Sequence, residues 1–73
     1  MLDKKTALRF AQLLKTKRKD SGLTQERLAE LSDMSVEHIQ RLEGKAPSGI
    51  RLETIVKLSK ALKTTPSGLL KDF

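Results

Sequence analysis

Gly22-Leu23-Thr24-Gln25-Glu26-Arg27-Leu28-Ala29-Glu30-Leu31-Ser32-Asp33-Met34-Ser35-Val36-Glu37-His38-Ile39-Gln40-Arg41-Leu42-Glu43-Gly44 reads as two short helices around a tight turn. The first runs from Gln25 to Ser32. Thr24 precedes it, and its hydroxyl can accept from the free amides of a first helical turn. The second runs from Val36 to Glu43, with Ser35 as its cap and Gly44 just past its end. Leu28 and Ala29 on one helix, and Ile39 and Leu42 on the other, are the apolar positions that must face inward. Helices of about two turns are marginal alone, so packing must hold them.

The flanking sequence supplies that packing. Upstream, roughly Lys5 to Ser21, the residues Ala7, Phe10, Ala11 and Leu14 recur at the i, i+3, i+4, i+7 spacing of a buried helical stripe, and Gly22 ends the run. Downstream, a helix from about Leu52 to Leu62 is expected to turn Leu52, Ile55, Val56, Ser59 and Leu62 inward. Its cap is open among Ser48, Gly49 and Arg51. A last helix has Thr65 as its cap and Pro66 at its first position, where the missing N–H costs nothing. Leu69, Leu70 and Phe73 are its apolar residues. No alternation of period two is long enough for a strand. The expectation is an all-α chain of five helices forming a single domain over residues 9–73, with residues 1–8 an N-terminal arm or an extension of the first helix.

Composition narrows the chemistry. The 73 residues carry 15 Lys plus Arg against 9 Asp plus Glu, a net charge of +6, with 37% hydrophobic residues. So short a chain forms one thin core. With no cysteine and one histidine, disulfides, thiolate metal sites and a zinc site are not expected, and neither is any cofactor. The sequence shows no nucleophile-base set, no paired carboxylates in a pocket and no phosphate-cradling glycine loop, so an enzyme is not expected. Neither a bilayer-spanning run nor a signal-peptide pattern is seen, and a cytoplasmic, nucleoid-associated protein is expected. The surplus of cations suits a polyanionic partner. Only two Phe and no Tyr or Trp favour duplex over single-stranded nucleic acid, which is held by base stacking.

Two capped helices around Ser32-Asp33-Met34-Ser35 satisfy the helix-turn-helix pattern, whose second helix enters a major groove. The runs Gly22-Leu23-Thr24-Gln25-Glu26-Arg27-Leu28-Ala29, Ile39-Gln40-Arg41-Leu42-Glu43-Gly44-Lys45, Leu52-Glu53-Thr54-Ile55 and Lys60-Ala61-Leu62 resemble the Cro and lambda-type repressor family, the Xre-like regulators, over about Phe10 to Leu70. The resemblance implies a five-helix lambda-repressor-like domain. It also implies a sequence-specific double-stranded DNA-binding regulator, a repressor acting as a homodimer on an inverted-repeat operator, with helix 3 (about 36–43) in the major groove.

If Ile39 and Leu42 face inward, Glu37, Gln40 and Arg41 share the outward face with Val36 beside them. Arg41 suits guanine O6 and N7, Gln40 suits adenine, and Val36 suits a thymine methyl. Glu37 accepts from a cytosine amine or pairs with Arg41. These four are the expected base contacts, while His38 between faces is either solvated or near a phosphate. Thr24 and Gln25, at a helix N-terminus, together with Lys45, Ser48 and Arg51, are the expected phosphate contacts. Gly49 adds an exposed amide in that loop. Lys17 and Lys19 suit the negative end of helix one and can also flank DNA.

From the family, Arg18 and Glu43 are expected to form a buried ion pair, and Thr64, Pro66, Ser67 and Leu69 to form the dimer interface. Those four can instead close the monomer core. Asp33 and Lys63 stand where the family commonly has glycine, and the Gly44 to Leu52 loop is longer than usual. A second reading is an antitoxin or restriction-modification controller subunit that binds a partner protein, such as a toxin, and autoregulates its operon. A helix-turn-helix domain that only dimerises is a third, disfavoured by Gln25, Arg41, Lys45 and Arg51.

Overall fold

A computed structural model of the chain describes residues 3–44 and 50–71. Five helices follow one another: α1 (Lys4–Asp20), α2 (Gln25–Leu31), α3 (Val36–Leu42), α4 (Leu52–Ala61) and α5 (Pro66–Leu69), with no strand among the described residues. α1 starts within the charged N-terminal segment, because the Asp3 carboxylate caps it by accepting from the Thr6 amide at 2.7 Å. Phe73 lies outside the described residues.

The core forms where the stripes meet. Leu14 of α1, Leu28 of α2, Ile39 and Leu42 of α3, Leu58 of α4 and Leu69 of α5 are all fully buried. Each such aliphatic side chain contributes about 1.5–3 kcal/mol against the entropy of ordering the chain. Phe10, Ala29 and Ala61 complete the cluster, and Leu23, Met34 and Val36 pack against it. Leu23 and Met34 sit one residue before the caps of α2 and α3, and the core includes Leu28 and Ile39 at the fourth position of each helix. That spacing fixes the angle at which the chain enters each helix. α2 packs chiefly on α3; α1 contacts α3, α4 contacts α2, and α5 packs on α4.

Three of the helices end in one motif. The Leu23, Met34 and Thr64 amides donate to the Arg18, Ala29 and Ser59 carbonyls at 3.2, 2.9 and 2.8 Å. One residue earlier, the Gly22, Asp33 and Lys63 amides donate to Lys19, Glu30 and Lys60. This double closure requires a left-handed residue just beyond the helix, and Gly22, Asp33 and Lys63 have φ of 73°, 55° and 58°. Asp and Lys therefore hold backbone that glycine adopts without steric cost.

The α4 stripe differs from the sequence expectation. Ser59 is buried as expected and the half-buried Ile55 and Leu62 pack against the core, but Leu52 is 74% exposed, Val56 is half-buried, and the other buried positions are Thr54, Leu58 and Ala61. At 100° per residue, Leu52 points about 120° away from Leu58, so the inward face is rotated by roughly one residue. Leu58 and Ala61 bind the core and displace Leu52 to the surface. The helix begins at Leu52, with Arg51 in the cap position and no side-chain cap bond.

Candidate nucleic-acid interface

Ser35 starts α3 by accepting from the His38 amide at 3.1 Å, and Ile39 and Leu42 hold its inner face at zero exposure. Those anchors turn Glu37, Gln40 and Arg41 outward, all three exposed. Glu37 and Arg41 do not pair with one another: the Glu37 carboxylate and the Arg41 guanidinium both face solvent. Val36 differs from its three companions, because it is half-buried and packs against the core. Only its outer edge remains for an apolar contact.

Arg41 also borders a shallow groove of about 360 Å³ with His38 from α3, Asp33 from the turn, and Arg51, Glu53 and Lys57 near the start of α4. Lys57 joins this rim although sequence inspection did not single it out. Its position follows from the rotated α4 stripe, since burying Leu58 places its neighbour beside the groove. Lys57 lies 3.4 Å from Glu53, one turn earlier. Arg51 is exposed at the start of α4. Lys45, Ser48 and Gly49 lie outside the described residues.

Thr24 and Gln25 occupy the start of α2. The Thr24 hydroxyl accepts from the Arg27 amide at 3.0 Å, and the residue is exposed. Gln25 is half-buried and donates Nε2 to Glu43 Oε1 at 3.1 Å. Arg18 supplies the other donors to that carboxylate, Nε to Oε2 at 2.7 Å and Nη2 to Oε1 at 3.0 Å, and its Nη1 donates to the Leu23 carbonyl at 2.8 Å. The Arg18 and Glu43 side chains are only 9% and 2% exposed. Hydrogen bonding to Glu43 raises the Arg18 pKa above its already high ordinary value; burial opposes this, and the charges of Glu43 and Glu26 add to it. Arg18 is thus fully engaged inside the fold.

The expected dimer residues divide. Thr64, Pro66 and Ser67 are exposed, whereas Leu69 is fully buried in the core. Leu69 closes the monomer and presents no side chain to a second copy. Thr65 caps α5 by accepting from the Gly68 amide at 3.0 Å. None of the helices formed by the described residues is long and apolar enough to cross a membrane.

Comparison with known proteins agrees with this geometry. A family model described as helix-turn-helix matches residues 14–69. Among solved structures, the restriction-modification controller protein C.AhdI from Aeromonas hydrophila is similar, with 33% sequence identity, a TM-score of 0.80, and coverage of 86% of this chain and 94% of that one. No curated protein matches. With the motif, the buried anchors of α3 and its exposed outer face all in place, the chain belongs to the helix-turn-helix family, in its Xre or lambda-type branch of DNA-binding regulators.

Proposed function

We propose that this protein acts as a homodimeric repressor that docks α3 in the major groove of an inverted-repeat operator. The observation that carries this is the outward Glu37, Gln40 and Arg41 face on a helix whose opposite side is locked by Ile39 and Leu42. Arg41 pairs with guanine and Gln40 with adenine. Glu37, free of Arg41, accepts from a cytosine amine, and the outer edge of Val36 meets a thymine methyl. Thr24, Gln25 and Arg51, with Lys45 and Ser48, hold phosphates and set the register. Two copies joined through the Thr64, Pro66 and Ser67 corner place two such helices about 34 Å apart, so the operator is an inverted repeat.

Fluorescence anisotropy with a duplex selected from a randomised pool tests this directly. Log affinity should fall linearly with log salt, with a slope near −0.9 for each phosphate contacted. Lys45→Ala should reduce that slope by about one and weaken all sequences alike. A binding constant independent of salt would refute the reading.

A second reading has support from the likeness to the Aeromonas hydrophila controller protein. The chain would then be a restriction-modification controller that regulates its own operon. An adjoining restriction gene, with the selected operator upstream of this protein's own gene, would favour it.

A further inference from the structure

We infer that Gln25 is a positioning residue for the recognition helix, setting base selectivity through Glu43 in addition to any contact with a phosphate. This rests on the DNA-binding reading and deepens it. Glu43 ends α3 with a side chain that is 2% exposed. A buried carboxylate offers only acceptor sites, so it must be met by donors, and the Gln25 amide must turn its nitrogen toward it. Arg18 meets both oxygens, and Gln25 adds a third bond at 3.1 Å.

The two tethers run to different helices. Arg18 ties the end of α3 to α1, and Gln25 ties it to the first turn of α2. Gln40 and Arg41 lie in the same final turn of α3 as Glu43, so a shift of its carboxylate is passed directly to both base-reading side chains. A helix held at its middle by Ile39 and Leu42 can still swing about those anchors, and the bond from α2 restrains its end. One N–H of the Gln25 amide is spent on Glu43, which leaves the second for a phosphate.

The two roles separate experimentally. A phosphate donor strengthens binding to every sequence alike, whereas a residue that aims α3 strengthens the correct sequence most. The test uses the full chain, a duplex selected by the wild type from a randomised pool, and an unrelated duplex of equal length. Gln25→Met keeps the side-chain length and removes the donor; Gln25→Asn keeps an amide too short to reach Glu43. In both variants, affinity for the selected duplex should fall about tenfold more than affinity for the unrelated one. The salt slope should stay unchanged, since no charge is altered. In the free protein, amide exchange at Arg41, Leu42 and Glu43 should quicken while that of Leu14 and Leu58 does not. Equal losses on both duplexes, or unchanged exchange in α3, would overturn the inference. A wild type that enriches no sequence would instead overturn the regulator reading, and this inference with it.

Discussion

Truncating Glu43 to alanine would strip Arg18 of its carboxylate and leave only the Leu23 carbonyl as partner. An uncompensated charge of this kind costs roughly 3–5 kcal/mol, comparable to the whole stability of a small domain. Urea titration of Glu43→Ala should therefore show a large fall in the midpoint, or a chain already unfolded in buffer. Lys63 offers the opposite case. Its φ of 58° places a Cβ where glycine has none; Lys63→Gly should raise stability by about 1 kcal/mol, and no change in the same titration would mean that the lysine side chain compensates. At the binding face, Arg41→Ala should relax preference at one base position of the selected operator while others keep theirs. A uniform loss across sequences would move Arg41 to the phosphate group of contacts.

At the scale of the helices, α1 carries a pH-sensitive start. The Thr6 backbone N–H, and then the Thr6 side chain, hold the Asp3 carboxyl below its ordinary pKa. A carboxyl depressed in the folded state stabilises above its unfolded value of about pH 4 and loses that contribution as pH falls through the folded value. The Thr6 amide resonance should follow this titration in NMR, and in Asp3→Asn it should not. Helix order, the caps Thr24, Ser35 and Thr65, and the inner faces of α1, α2 and α3 were legible because each is set by neighbours within four residues. The α4 face was legible only in part. Of the expected stripe Leu52, Ile55, Val56, Ser59 and Leu62, Ser59 is buried and Ile55 and Leu62 pack against the core, but only contact with the other helices selects Leu58 and Ala61 as its centre and leaves Leu52 outside. Two outcomes at the candidate site had the same cause. Val36, expected beside the outward stripe, packs half-buried against the core, and Leu69, which the family resemblance offered either to a dimer interface or to the monomer core, is fully buried in that core. The tie from Gln25 to Glu43 spans two helices, and no local spacing announces it.

For the molecule as a whole, charge and shape act together. A net charge of +6 on a body of about 27 × 25 × 21 Å steers the protein toward a polyanion and opposes contact between two copies in the absence of DNA. Sedimentation at low and moderate salt should show self-association strengthening as salt is added. Ser67→Arg, at the exposed α5 corner, should shift that equilibrium toward monomer, with thermal stability changed by no more than about 0.5 kcal/mol. An unaltered equilibrium would place the contact between copies elsewhere. The carboxylate that finishes α3 finds its strongest partner on α1, outside the helix-turn-helix itself. A synthetic peptide spanning only positions 22–44 would strand that acid without its counter-ion and lay bare four anchoring side chains. Circular dichroism of such a fragment should give a coil spectrum, so shrinking this protein into a minimal operator-recognising peptide would require grafting a replacement for Arg18.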